Sequence, residues 1–149
     1  MPRPYASAMI DRPADEVWAL VRDFGSLVVW NSGAIERCEI EDGLAGDQVG
    51  AVRGIWLADG TYVSEKLLSH SDLERSYQYD FQSTPFEIED YLSTLRITPV
   101  TDGDRAFAEW FATFSCDPGA ASELTGLFAN IVYQGGLTAL KAHLEAQPS

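Results

Sequence analysis

The sequence predicts an α+β fold, a curved antiparallel sheet wrapped around a long C-terminal helix. Three observations lead there. Six short runs of strand character follow one another between residues 35 and 115, separated by turn signals. Apolar residues at helical spacing then continue over about seven turns, 118–146. Ahead of the meander stand one strand and a small helical pair.

Residues 4–10, PYASAMI, are small and apolar and read as the first strand. In DRPADEVWALVRDF, Pro13 suits the first helical position, and Asp15 and Glu16 suit the first turn. Val17, Leu20, Val21 and Phe24 fall at i, i+3, i+4 and i+7, one helical face, and Gly25 stops it. SLVVWNS, 26–32, reads as a second short helix or a turn. The six runs are 35–41, 49–57, 61–69, 74–82, 91–98 and 105–115. Breaks fall at Asp42-Gly43, Asp59-Gly60, His70-Ser71-Asp72, Thr84-Pro85 and Asp102-Gly103, and Asp-Gly favours tight hairpin turns because glycine tolerates positive φ. Asp117-Pro118 caps and opens the last helix. Gly135-Gly136 interrupts it, marking either a need for space or a kink beside the helix, or simple close packing on the sheet. The end, EAQPS, reads as a frayed tail.

The chain has 149 residues, the size of one domain with a real core. No stretch is apolar enough to span a membrane and no signal-peptide pattern is visible, so a cytoplasmic protein is expected. The net charge of -13 repels phosphate backbones and anionic lipid surfaces, which argues against nucleic acid and membrane partners. Cys38 and Cys116 read as small buried hydrophobes, and His70 and His143 lack further ligands at zinc spacing. No metal and no cofactor are expected.

Strand alternation sorts the side chains into faces. Tyr77, Tyr79 and Phe81 stand against Gln78 and Asp80, and Leu95 and Ile97 against Thr94 and Arg96, so these strands choose their inner face. Two do not. In 61–69, Val63, Glu65 and Leu67 oppose Tyr62, Ser64, Lys66 and Leu68. In 105–115, Phe107, Glu109, Phe111 and Thr113 oppose Ala108, Trp110, Ala112 and Phe114. Both faces are apolar there, and parity leaves the choice open.

The segments RPADEVWALVRDFGSLVVW (12–30), GDQVGAVRGIWLADG (46–60), TYVSEKLLSHSD (61–72), SYQYDF (76–81), DYLSTLRITP (90–99), AEWFATF (108–114) and the closing helix resemble the START/Bet v 1-like (SRPBCC) superfamily, in particular its bacterial polyketide cyclase/dehydrase-like members. The resemblance covers nearly the whole chain. It implies a helix-grip fold: a curved seven-stranded antiparallel sheet around the long C-terminal helix, with two short helices after the first strand. It also implies a large, mostly apolar cavity for a small hydrophobic molecule.

Carried over residue by residue, the resemblance turns Glu65, Glu109 and Tyr91 inward. With Tyr79, Ser93 and Phe111 they would line the cavity, and the helix would add Phe128, Val132 and Gly136, the last giving room. This leaves Trp110 to cover the outer face or to pack at an interface, as in a homodimer. A carboxyl group in an apolar pocket has its pKa raised and can act as a general acid, and a tyrosine can polarise a carbonyl. Glu65 and Glu109 could instead hold ordered water or pair with Arg53 or Lys66. Arg53 could grip a ligand carbonyl or serve a structural pair. Trp30 is either core or a ligand-stacking wall, with Asn31 beside it at the cavity mouth. Phe86, in STPFEIED (83–90), is a lid or part of an ordinary turn.

The expected function is binding of an aromatic or polyketide-like molecule followed by a cofactor-free acid/base step: cyclisation, dehydration or related lyase or isomerase chemistry. Catalytic roles fall to Glu109, Glu65 and Tyr91. The alternative is a carrier or sensor without chemistry, and a third reading is an interaction-only module.

Overall fold

The computed structural model describes residues 1–148. Seven strands form one antiparallel sheet: β1 (Tyr5–Ile10), β2 (Ile35–Ile40), β3 (Val52–Leu57), β4 (Tyr62–Ser71), β5 (Ser76–Ser83), β6 (Glu89–Val100) and β7 (Arg105–Ser115). Their order is β1-β7-β6-β5-β4-β3-β2, so the only crossover among the described residues is the one that carries α1 (Ala14–Val21) and α2 (Leu27–Trp30) from one edge to the other. Register shifts in the β2–β3, β4–β5 and β6–β7 pairs mark bulges, which bend a sheet. The concave face closes over the C-terminal helix.

The predicted runs and the observed strands agree to within a few residues, the ordinary uncertainty of element ends. The largest departure is at the start of β3, which begins at Val52 and not at residue 49; at His70-Ser71-Asp72, β4 runs on to Ser71 and the turn follows. That turn has no glycine, and Arg75 takes the left-handed conformation at φ 51. The inner face of α1 carries Val17, Trp18 and Val21, with Phe24 just beyond, all buried. Both cysteines are unpaired and half-buried. No helix among the described residues is long and apolar enough to cross a membrane.

The C-terminal helix is not one regular α-helix. A short 3-10 turn (Pro118–Ala120) leads into α3 (Ala121–Gly126), a π-helical segment (Leu127–Tyr133) and α4 (Gln134–Glu145). A π-helix bonds i to i+5, so Phe128 and Tyr133, five apart, both point into the core. Ile131 is left 69% exposed. The expected frayed tail is pinned as far as Gln147, whose carbonyl accepts from Arg12 Nη2 at 2.7 Å. Its last residue, Ser149, lies outside the described residues.

The face of β7 corrects the expectation. Register pairs Leu95 with Trp110 and Arg96 with Glu109, so Trp110 shares the inner face of Leu95 and Glu109 the outer face of Arg96. Ala106, Ala108, Trp110, Ala112 and Phe114 are all buried. The small residues let the helices pack close against the strand, which bulky Phe107 and Phe111 on the same side would prevent.

Candidate functional site

The floor of the site is set by register. Arg53 on β3 and Glu65 on β4 are directly opposed, so their side chains leave the sheet on the same concave face. Arg53 Nε donates to Glu65 Oε1 at 2.8 Å, with side chains only 1% and 8% exposed. Arg53 Nη1 donates to the Phe24 carbonyl at 3.1 Å. The guanidinium lies over the Phe24 ring at 3.8 Å and the Tyr79 ring at 4.8 Å, a geometry that favours a cation. Burial works against the Arg53 charge, but Glu65, Tyr77 and Tyr79 more than offset it and the group stays protonated. Burial also pushes the Glu65 carboxyl above its ordinary value, with Arg53 pulling the other way. Arg53 Nη2 and the Tyr77 hydroxyl are buried without a partner among the described residues.

Above the floor stands an aromatic wall. Trp110 Nε1 donates to the Tyr79 hydroxyl at 2.9 Å and the indole stacks on Tyr133 with centroids 5.2 Å apart. The Tyr91 and Tyr133 hydroxyls are hydrogen-bonded to each other. Ser93 Oγ reaches the Tyr133 hydroxyl and donates to the Phe111 carbonyl, each at 3.2 Å. Burial raises Tyr79 and Tyr91 well above the usual phenol value and raises Tyr133 too. These phenols therefore stay neutral O–H groups, suited to donating hydrogen bonds rather than to taking protons.

Between floor, wall and helix lies a cavity of about 110 Å³, whose lining includes Arg53, Glu65, Tyr79, Tyr91, Trp110 and Phe128. The resemblance implied a large cavity; Trp110 and Tyr133 occupy much of that room. A groove of about 570 Å³ adjoins it between the end of α2, the β3–β4 hairpin and the C-terminal helix. The two share Asn31, Ile35, Leu57 and Val132, so the groove is the cavity's mouth.

The structure brings Glu65, Arg53, Tyr79, Tyr91, Phe128 and Val132 to the cavity lining. Phe86 joins them, packed edge-on against Phe128 at 5.2 Å. Ser93 sits behind the lining, holding Tyr133. Gly136 borders the outer groove, where it gives room to Trp110 and not to a ligand: a Cβ there would meet Trp110 Cζ3 at 2.5 Å. Trp30 is core: it packs on Trp110 at 5.9 Å and its Nε1 donates to Ser26 Oγ. Two placements are overturned. Glu109 lies on the outer face, accepting from Tyr5 OH at 2.6 Å and from Arg96 Nη2 at 3.0 Å. Phe111 lies beside it, stacked on Tyr5. With Trp110 turned inward, the residue that would have served an interface between two copies is in the core.

Sequence reading missed Trp110 as a cavity group and Tyr133 as the buried ring stacked behind it. The signal for Tyr133 was present: Tyr133, Leu137, Leu140 and Leu144 form one stripe at i, i+4, i+7 and i+11, out of phase with Leu124 and Phe128.

A family model described as "Polyketide cyclase / dehydrase and lipid transport" matches residues 1–145. Among solved structures, the protein XoxI of Bacillus cereus is 30% identical over 100% of both chains, with a TM-score of 0.86. An uncharacterised protein of Bacillus thuringiensis is 30% identical over 95% of this chain and 98% of that one, with a TM-score of 0.83. The di-domain aromatase/cyclase BexL of the BE-7585A biosynthetic pathway shares the fold, at 16% identity and a TM-score of 0.80 over 97% of this chain and 47% of its own. No curated protein matches the chain.

Proposed function

The chain belongs to the polyketide cyclase/dehydrase and lipid transport family, and from that premise we propose that it binds a small hydrophobic molecule, aromatic or polyketide-like, by a single oxygen function held on the Arg53–Glu65–Tyr79 floor. The observation that carries this reading is a buried ion pair inside an apolar cavity with hydrogen-bonding capacity left over. Arg53 lines the cavity, and the Tyr79 hydroxyl accepts from Trp110 while its own proton is unspent. An orphaned buried donor costs roughly 1–3 kcal/mol, so a ligand oxygen that satisfied it would gain that much. The enclosed cavity is smaller than the roughly 150 Å³ that admits a benzene, so the body of a larger ligand would extend along the groove. The probe is 2-naphthol, titrated by fluorescence and native mass spectrometry. Binding that weakens about tenfold or more in Tyr79→Phe supports the reading; no binding to the wild type sinks it.

A cofactor-free acid/base step on the bound molecule is the second reading, and the raised Glu65 pKa favours it. Glu65 would move the proton, with Tyr91 and Tyr79 as neutral donors to a carbonyl. The chemistry would be cyclisation, dehydration or a related lyase or isomerase step. With Glu109 on the outer face, Glu65 acts without a second carboxylate. In Glu65→Gln, a folded protein that binds but no longer turns over supports the step. Equal turnover in wild type and variant rejects it, and the carrier or sensor role then stands.

A further inference from the structure

Resting on that binding reading, we infer that Asn31 is a second recognition point at the neck of the cavity, and that it selects ligands carrying a carboxamide on their apolar body. Asn31 borders both the inner cavity and the outer groove. It is only 8% exposed. Its backbone is fully used: the N–H donates to the Leu27 carbonyl at 2.9 Å, and its carbonyl accepts from Ala34 and Ile35 at 3.2 and 3.0 Å. Its side-chain amide has no partner among the described residues, yet neither amide atom is sealed off as a buried orphan. The amide therefore opens onto the neck.

A structural role does not explain the residue. Asn31 ends α2 at φ -123, outside the left-handed region, so no left-handed position demands an asparagine. Its side chain caps nothing. The other residues shared by groove and cavity are Ile35, Leu57 and Val132, and a leucine would complete that ring without stranding an amide.

The chemistry of the neck selects the partner group. A side-chain amide offers one donor and one acceptor side by side, which a carboxamide matches with both of its own. A carboxylate would leave the Asn31 carbonyl without a donor. It would also meet no cation in the groove's lining, where Asp59 is the only charged residue among those described.

The experiment compares 2-naphthol with its 3-, 6- and 7-carboxamides, so that the second group falls at different distances from the hydroxyl. The readout is the affinity ratio of carboxamide to 2-naphthol within each protein. We expect at least one carboxamide to bind wild type about tenfold more tightly than 2-naphthol, and the ratio to fall to about one in Asn31→Leu. Asn31→Ala gives the same ratio test should the leucine variant fail to fold. If wild type binds 2-naphthol and no carboxamide gains, or the gain survives in the variants, this inference falls and the floor reading stands. If 2-naphthol itself does not bind wild type, both fall.

Discussion

Glu65 and Glu109 are both glutamates in apolar strands, and their surroundings make opposite demands. Glu65 and Arg53 are sealed together, and removing one partner strands the other charge in the core. Glu65→Ala or Arg53→Ala should destabilise the protein by about 3–5 kcal/mol, and the paired change Arg53→Met/Glu65→Leu should recover most of that loss in urea titrations. Glu109 is 13% exposed against an Arg96 that is 44% exposed, so solvent screens the pair. Glu109→Gln should change stability by less than about 1 kcal/mol and leave 2-naphthol affinity as it was. Glu65 also gives a pH signature. Its folded pKa is raised above the ordinary 4.5, so the folded state holds the proton more tightly than the unfolded chain. That contribution is complete below about 4.5 and is lost as pH rises through the folded value. The stability of wild type relative to Glu65→Gln should therefore fall on going upward from pH 4.5, and a constant or growing difference would contradict the assignment. Glu65 and Tyr79 were legible on inward-facing strands, the former only through the resemblance. Alternation gives parity alone and left Glu109 open; the resemblance turned it inward, and the structure overturns that. The missing fact was the β6–β7 register, which ties Glu109 to Arg96, a residue that parity had already put outside.

Elements are held at a few contacts, and two of these are testable. Gly135 and Gly136 are adjacent in α4, but only one is packed. An added Cβ at Gly136 collides with the Trp110 ring, whereas at Gly135 nothing comes nearer than the Asn130 carbonyl at 4.0 Å. Gly136→Ala should destabilise by about 1–3 kcal/mol through overpacking, and Gly135→Ala should be neutral or stabilising by up to about 1 kcal/mol through helix propensity. Equal melting shifts would mean that the helix does not seat on Trp110 as described. The second contact docks α1 on the end of β4. Asp72 accepts from Arg22 Nε at 3.0 Å and from Trp18 Nε1 at 2.8 Å, and lies 3.1 Å from His70 Nε2. Arg22 foremost, then Trp18 and His70, hold the Asp72 carboxyl far below its ordinary 3.8. A depressed folded pKa gives stability that is present above 3.8 and lost as pH falls through the folded value. Asp72→Asn should lower stability at neutral pH and flatten the acid limb below about pH 4; an unchanged acid limb would remove Asp72 from the docking contact. The long helix was legible as an element, and the glycine pair as either a kink or close packing. Its π segment was not expected, because a window of helical spacing averages over one extra residue. The extra residue turns Tyr133 inward and Ile131 out.

The order of strands and helices was legible across the whole chain, because a meander with short turns leaves few topologies open. The size of the cavity was not. It depends on which bulky side chains fill the concave face, and one strand read on the wrong face moves a tryptophan from surface to core. Charge acts at this same scale. The chain carries 23 acidic and 10 basic residues, for a net charge of -13. Several of the basic groups are already engaged: Arg22, Arg37, Arg53, Arg75 and Arg96 each pair with a carboxylate. Salt has two opposing effects. It weakens the exposed ion pairs, each worth under about 1 kcal/mol, and it screens repulsion among the excess carboxylates, which grows with the square of the net charge. At about 0.01 M salt the screening length is roughly 30 Å, so every carboxylate feels most of the others; at 0.15 M it is roughly 8 Å and only neighbours interact. Repulsion should win, and the melting temperature at pH 8 should rise between 10 mM and 150 mM KCl. The rise should shrink near pH 4.5, where the carboxylates begin to take up protons. The Arg53–Glu65 pair is shielded from solvent, so Arg53→Met/Glu65→Leu should show the same salt slope as wild type. A melting temperature that falls with salt at pH 8 would mean that the surface ion pairs, and not the excess negative charge, govern the stability of the molecule.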